Sequence, residues 1–185
     1  MTKEILGKYE LTELNEAIID VSLKNVEDIF SNFSGNKPDS PKILSQEFVD
    51  FIIDSANEIG ENKLIIRISI QNIPDEKVMD NIESSIQSHF NNLKDLENRS
   101  IEMMFSRSIK LFGLGMLFLF IAIIFNRLFY IRTGTISQVF YEGITIAGWI
   151  SLWAAIITIV VKWPPQKNNI KLYERIMKAK IIFIN

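Results

Sequence analysis

The chain has 185 residues, 48% of them apolar, and a formal charge of −2 that conceals a strong asymmetry. Met1 to Arg107 carries 11 Lys+Arg against 20 Asp+Glu, a net of −9, whereas Ser108 to Asn185 carries 9 against 2, a net of +7. An acidic polar half joined to a basic apolar half argues against a nucleic-acid binder, which carries its positive charge on the folded domain. The lack of cysteine excludes a disulfide framework and a thiolate zinc site.

The first thirteen residues, MTKEILGKYELTE, hold no continuous apolar run and no small-residue cleavage site, so no secretory signal is expected there. Ala17, Ile19, Val21 and Leu23 alternate with Ile18, Asp20, Ser22 and Lys24, which predicts a strand over 17–24. Val26, Ile29, Phe30 and Phe33 then follow helical spacing, and SGNKPDSP after them reads as a loop. Ser45 is placed to cap a second helix with the stripe Phe48, Ile52, Ala56 and Ile59, ended by Gly60 in the left-handed conformation common after a helix. Leu64, Ile66, Ile68 and Ile70 predict a second strand, and Ile65 on its other face calls for cover on both sides.

After Pro74-Asp75-Glu76, a good helix start, the stripe Val78, Ile82, Ile86, Phe90, Leu93 and Leu96 continues through Ile101 and Met104. One long helix is expected, with Asn98 as a candidate break. It leads into LFGLGMLFLFIAIIF, Leu111 to Phe125, fifteen residues without a charge, and the run resumes past Asn126 and Arg127 as LFYI. Gly143 to Val161 adds nineteen uncharged residues, about 28 Å at ~1.5 Å per residue against a hydrocarbon core of ~30 Å. Both runs are expected to cross a bilayer. Pro164-Pro165 is expected to end the second, and IKLYERIM and AKIIFI to form a short amphipathic helix and a last strand.

Basic residues set the expected orientation. Lys94, Arg99, Arg107 and Lys110 precede the first span, and Lys162, Lys167, Lys171, Arg175, Lys178 and Lys180 follow the second, against Arg127 and Arg132 between them, so both termini are assigned to the cytoplasm. Candidate lipid-headgroup anchors are Lys110, Tyr130, Tyr141, Lys162 and Trp163. Gly143, Ala147, Ser151 and Ala155 recur every four residues, a stripe that lets another helix approach closely, either the first span or a second copy. The hydroxyls of Ser151 and Thr158 are read as bonded to their own helix rather than lining a pore.

The expected architecture is an α+β membrane protein: a transmembrane helical hairpin inserted into a small three-stranded cytoplasmic α/β domain that the C-terminal strand completes. Its divisions are 1–107 for the domain with its long helix, 108–131 for the first span and 132–142 for the external connection. The second span takes 143–163, and 164–185 returns to the domain. That return requires both ends on one side of the bilayer, which the charge count independently requires.

Motifs for chemistry are scarce. There is no GxxxxGK[ST] loop, and Gly113-Leu-Gly115 lies inside an apolar run rather than between a strand and a helix. His89 is the single histidine, beside the apolar stripe of the long helix and without HExxH or HxH spacing, so it reads as a packed residue rather than a ligand or base. Asp50, Asp54, Glu58 and Glu61 lie opposite the stripe of their helix, as a solvated face does, and Glu10, Glu13, Glu16 and Asp20 lack the glycine turn of a calcium loop. No catalytic residue, cofactor or metal is expected, and the protein is read as not an enzyme.

The order of DIFSNF, EFVDFIIDSANEIG, LIIRISI, LFGLGMLFLF, YEGITIAGWISLW, KWPP and LYERIMKAKIIF resembles a large family of uncharacterised bacterial two-span membrane proteins with a small cytoplasmic α/β domain and a GWxxxW…WP second span. The likeness runs from about Ile18 to Ile184. It departs at Ala154-Ala155, where the family carries Arg-Pro, and at SGNKPDSP, where the family has an aspartate-proline loop. The resemblance implies a fold and a membrane location and brings no activity with it. The expected role is therefore a scaffold or adaptor in the inner membrane, homo-oligomeric, with lipid and a cytoplasmic protein as partners and no nucleic acid. The alternative is a small oligomeric channel or membrane-disrupting effector.

Overall fold

The computed structural model describes residues 8–13, 16–31, 43–71, 73–129 and 135–184. Phe33, the SGNKPDSP loop, Tyr130 and Arg132 lie outside the described residues. The chain divides into two compact units. One comprises residues 1–96 and 169–185, the other residues 97–168.

In the first unit the order is β1 (Glu10–Leu11), β2 (Ala17–Leu23), a 3₁₀ turn (Val26–Ile29), α1 (Gln46–Ile59) and β3 (Leu64–Ile70). It continues with the start of α2 (Glu76–Phe129), the end of α3 (Thr135–Met177) and β4 (Lys180–Ile184). The sheet runs β1-β2-β3-β4, with β1 antiparallel to β2 and both β2–β3 and β3–β4 parallel. It thus has four strands where three are expected from the sequence. Two residues of β1, Glu10 opposite Ile18 and Leu11 opposite Ala17, are too short a run to show period-two patterning.

Alternation sets which side of the sheet is buried. Ala17, Ile19 and Val21 of β2 stand opposite Leu64, Ile66 and Ile68 of β3, and they share one cluster with Phe48, Ile52, Ala56 and Ile59 of α1. Ile82, Ile86 and Phe90 of α2 and Leu172 and Ile176 of α3 belong to the same cluster. On the other face, Ile18 and Ile65 are buried as well, in keeping with the doubly covered strand expected from Ile65. Asp20 lies directly opposite Arg67 there, and the guanidinium donates to both Asp20 carboxylate oxygens and to Glu10 Oε2. These bonds to Asp20 and then Glu10 raise the Arg67 pKa, so the cation persists across all ordinary pH.

Three local expectations change. The helix expected from Val26 is a single 3₁₀ turn, because the backbone beyond it pairs elsewhere: Ser45 N–H donates to Ile29 O at 2.8 Å and Ser31 N–H to Ile43 O at 2.7 Å. Ser45 caps α1 as expected, its hydroxyl accepting from Phe48 N–H at 3.3 Å, but Gly60 ends it with φ 77° and ψ −134°, outside the left-handed helical region. The φ still favours glycine. Third, Pro164 and Pro165 do not end the second apolar helix, which runs unbroken through them to Met177.

Two prolines inside a helix forfeit the bonds to the carbonyls four residues earlier and normally cost ~3 kcal/mol or more. Contacts on either side of the pair offset that. Trp163 packs edge-to-face on Phe105 with centroids 6.1 Å apart, and Gln166 Nε2 donates to Ser100 Oγ at 2.8 Å. Asn98 likewise leaves α2 unbroken.

Near the end of α3, Arg175 donates to the carbonyl of Asn62 at 2.8 Å, tying this helix to the residues that open β3. Its Nε is buried without a partner among the described residues, and burial lowers the Arg175 pKa. Close by in sequence, the Tyr173 ring packs tilted at 41° against Phe90, centroids 6.1 Å apart, so aromatic packing and a polar tie act together. Ile66, fully buried at the centre of β3, reports on this core: Ile66→Ala should destabilise the protein by about 2–5 kcal/mol in thermal unfolding followed by far-ultraviolet circular dichroism.

Candidate functional site: the apolar helix pair

The second unit consists of the apolar parts of α2 and α3, both helices long and apolar enough to cross a membrane. Within it the two run antiparallel, since Ser100 meets Gln166, Phe105 meets Trp163 and Gly115 meets Gly148. Their seam is made of small residues seven apart. Ser108, Gly115 and Ala122 of α2 are buried, as are Gly148 and Ala155 of α3. A period of seven is the signature of left-handed packing at a shallow crossing angle.

At the closest point there is no room for a methyl group. A Cβ on Gly115 would lie 2.9 Å from Leu152 Cγ and 3.0 Å from the Gly148 carbonyl oxygen, and one on Gly148 would lie 2.9 Å from Leu119 Cγ and 3.2 Å from the Gly115 carbonyl oxygen. Glycine is required there because backbone meets backbone. The stripe named from the sequence behaves differently along its length: Ala155 is buried in the seam, Ala147 and Ser151 are half-buried, and Gly143 is exposed with nothing within 4 Å of a Cβ. The sevenfold spacing of Ser108, Gly115 and Ala122 is visible in the sequence and marks the seam, whereas the fourfold stripe of the second helix only partly coincides with it.

Three hydroxyls on α3 are satisfied within the helix. Thr145, Ser151 and Thr158 donate to the carbonyls of Tyr141, Ala147 and Ala154 at 2.8, 2.8 and 2.7 Å. Ser108 Oγ and Gln166 Oε1 are buried without partners among the described residues. Outward, the pair shows Phe112, Phe120, Ile123, Trp149, Trp153 and Val160, each at least half exposed.

Of the expected headgroup anchors, Lys110 and Lys162 are exposed, Tyr141 is half-buried and Tyr130 lies outside the described residues. Trp163 is 39% exposed, with Lys167 Nζ 5.1 Å from its ring centroid. A tryptophan carrying an ammonium on its face and an aromatic edge on its flank is held rigidly where an apolar stretch gives way to a basic one.

In the first unit, a cleft of about 320 Å³ lies between α1 and the start of the sheet, lined by residues that include Tyr9, Asp20, Phe51, Asp54 and Glu58. Tyr9 hydroxyl donates to Glu58 Oε2 at 2.7 Å, and Lys8 Nζ approaches the same oxygen at 3.1 Å. The bond from Tyr9, then that from Lys8, holds the Glu58 carboxyl below its usual value. Burial first, and then the bond to Glu58, raises the Tyr9 phenol, and the bond to Glu58 raises Lys8. A lowered carboxyl stabilises above its unfolded pKa of ~4.3 and loses that effect as pH falls through the folded value, whereas a raised ammonium stabilises below ~10.4 and loses its effect as pH rises. The contact is therefore complete across neutral pH.

His89 is half-buried, its pKa lowered by burial, beside Ser85 and Ser88, and no carboxylate among the described residues lines the same hollow. Among the described residues no group of three His, Cys, Asp or Glu side chains is arranged to hold a metal ion. Comparison with family models, with curated proteins and with solved structures finds no match. The likeness stated above rests on the order and spacing of its motifs.

Gly148→Val should destabilise the protein in detergent by about 1–3 kcal/mol, the usual range for overpacking, while Gly113→Val, where a Cβ meets nothing within 4 Å, serves as the matched control with little effect. In the cleft, Glu58→Gln should lower the Tyr9 phenol pKa part of the way toward ~10, read as a difference in alkaline ultraviolet titration between the two proteins.

Proposed function

We propose that the protein is a non-enzymatic scaffold of the inner membrane, whose α2–α3 hairpin crosses the bilayer twice and holds the α/β unit at the cytoplasmic surface for a protein partner. One observation carries this reading. In the most apolar stretches of α2 and α3 only 17% and 11% of residues are buried, so the bulk of two hydrophobic helices has no protein to pack against. A soluble fold would leave there an exposed apolar patch far larger than water tolerates, and a hydrocarbon solvent removes the penalty.

Further support comes from the flanks. Ten basic residues lie on the sides of the two spans that lead to the sheet, from Lys94 to Lys110 and from Lys162 to Lys180, against Arg127 and Arg132 at the turn. That bias supports a cytoplasmic location for both termini. Lys162, Trp163 and Lys167 then meet anionic lipid headgroups, at ~1 kcal/mol per basic residue near the surface. Ser151 and Thr158 donate their hydroxyls to their own helix, which favours helix packing over a pore lining. The scaffold acts as a homo-oligomer, bringing copies of the α/β unit together.

The chain has no native cysteine, so single cysteines report topology directly. After membrane fractionation, Gln138→Cys should react with a membrane-impermeant maleimide in intact spheroplasts, while Glu27→Cys and Lys178→Cys should react only after lysis. Recovery of the protein in the aqueous fraction, or labelling of Glu27→Cys from outside, would refute the arrangement.

A further inference from the structure

Beyond Ile18 the sheet has an open edge. β1 pairs only with Ala17 and Ile18, and the residues before Glu10 turn to α1 instead, where Tyr9 and Lys8 bond to Glu58. The rest of β2, Asp20 to Leu23, pairs with β3 on one side and, among the described residues, has no strand on the other. Asp20 and Ser22 are exposed. An edge of this kind carries backbone groups with which another extended chain can pair.

A groove runs along that edge. The cleft of about 320 Å³ described above adjoins a second hollow of about 280 Å³, and the two share Asp20 and Phe51 as walls. Asp20 to Leu23 of β2 form one side of the second hollow, and Glu47, Phe48 and Phe51 of α1 the other, so a chain lying in it follows the strand direction. Phe51 is 48% exposed and off the buried stripe of its helix, which puts an apolar wall where the two hollows meet. The rim is acidic: Glu10, Asp20, Asp28, Glu47, Asp54 and Glu58 line the hollows, with Lys8 as the one basic residue among the described ones. Arg67 offsets Asp20 and Glu10, and Lys8 offsets Glu58. Glu47 and Asp54 are exposed and have no ion-pair partner among the described residues.

We propose that this groove takes an extended segment of the protein partner, bearing lysine or arginine on either side of an apolar residue, which adds to the sheet as a strand beside Asp20–Leu23. Charge complementarity and shape select this occupant. A strand offers backbone donors and acceptors to the open edge and turns every second side chain toward α1. One such side chain meets Phe51, and the cationic ones two places before and after it meet Glu47 and Asp54. The spacing agrees. Glu47 and Asp54 lie seven residues apart on α1, ~10 Å at ~1.5 Å per residue, and side chains four apart on a strand are ~13 Å apart, a difference that long cationic stems absorb. The ammonium already present shows the mode of binding: Lys8 Nζ lies 3.1 Å from Glu58 Oε2 and 5.7 Å from the Tyr9 ring centroid, held by a carboxylate and an aromatic face. The proposal rests on the protein partner proposed above and gives the chemistry of the segment that docks.

The test uses the full chain in detergent and the capped peptide Lys-Thr-Val-Thr-Lys with a fluorophore, followed by anisotropy. Saturable binding is expected, weakening as salt rises and at least tenfold weaker with Asp54→Lys or Phe51→Ala, both exposed positions on α1. Hydrogen exchange over residues 19–23 should slow when the peptide is bound. Two methylated peptides test the strand: N-methyl groups on the threonines remove the donors of one edge, and on the valine and lysines those of the other. One of the two should lose binding and the other keep it. Should Asp54→Lys fail to fold, the salt titration and the methylated pair decide on the native chain.

No saturable binding at millimolar peptide would overturn the proposal, as would equal behaviour of the two methylated peptides. Competition by the dication 1,4-diaminobutane at the same concentration as the peptide would reduce the groove to an acidic surface. Loss of self-association in Phe51→Ala would assign the groove to a second copy instead. A partner that co-purifies equally with the native chain and with the Asp54→Lys, Phe51→Ala double variant would refute this groove and leave the scaffold reading standing. Membrane fractionation and cysteine labelling need no peptide, so failure here is separable from failure of the membrane reading.

Discussion

The parallel pairing of β3 with β4 is the constraint on which the rest depends. Two neighbouring parallel strands cannot be joined by a tight turn, and the connection must leave one end of the sheet and return to the other. Here that connection carries two helices, and the return is enforced at their roots. Ile82, Ile86 and Phe90 at the start of α2 and Leu172 and Ile176 at the end of α3 are buried in the same cluster as the strands. A chain bound in this way to one sheet at both ends of its excursion can cross a bilayer only an even number of times.

Between those roots the physics changes. Around the sheet, burial of isoleucine and phenylalanine supplies the driving force in the ordinary way. In the helix pair, leucine and phenylalanine face outward and the seam is lined by serine, glycine and alanine. That inversion is the packing expected of helices in a medium as apolar as their side chains, in keeping with the proposed membrane location. The same close packing, through Phe105 on Trp163 and Ser100 on Gln166, carries α3 straight through two prolines that would end an isolated helix.

Charge is kept at the margins of both units. Arg67 is matched by Asp20 and Glu10 across the strands, and Glu58 gathers Tyr9 and Lys8 at the mouth of a cleft. Arg175 donates one bond to a backbone carbonyl while its Nε is buried without a partner among the described residues, a desolvation tolerated where the guanidinium ties a helix to the sheet. These contacts hold position, as the proposed scaffold role needs.

The alternation in Ala17 to Leu23 and Leu64 to Ile70, the stripe and cap of α1, and the two long apolar helices were all legible in the sequence, because each is a local pattern repeating over at least seven residues. The last strand was legible too, from KIIFI and the need for a partner. What the sequence could not determine was decided by contacts distant along the chain. The turn after Val26 is short because residues 29–31 bond to residues 43–45. β1 exists because two residues find β2. The helix runs past Pro164-Pro165 because the other helix lies alongside, and the seam glycines are Gly115 and Gly148 because the antiparallel register brings those two backbones together. Local periodicity states what a segment prefers, and only the neighbour that arrives in three dimensions supplies the contact energy that can override it.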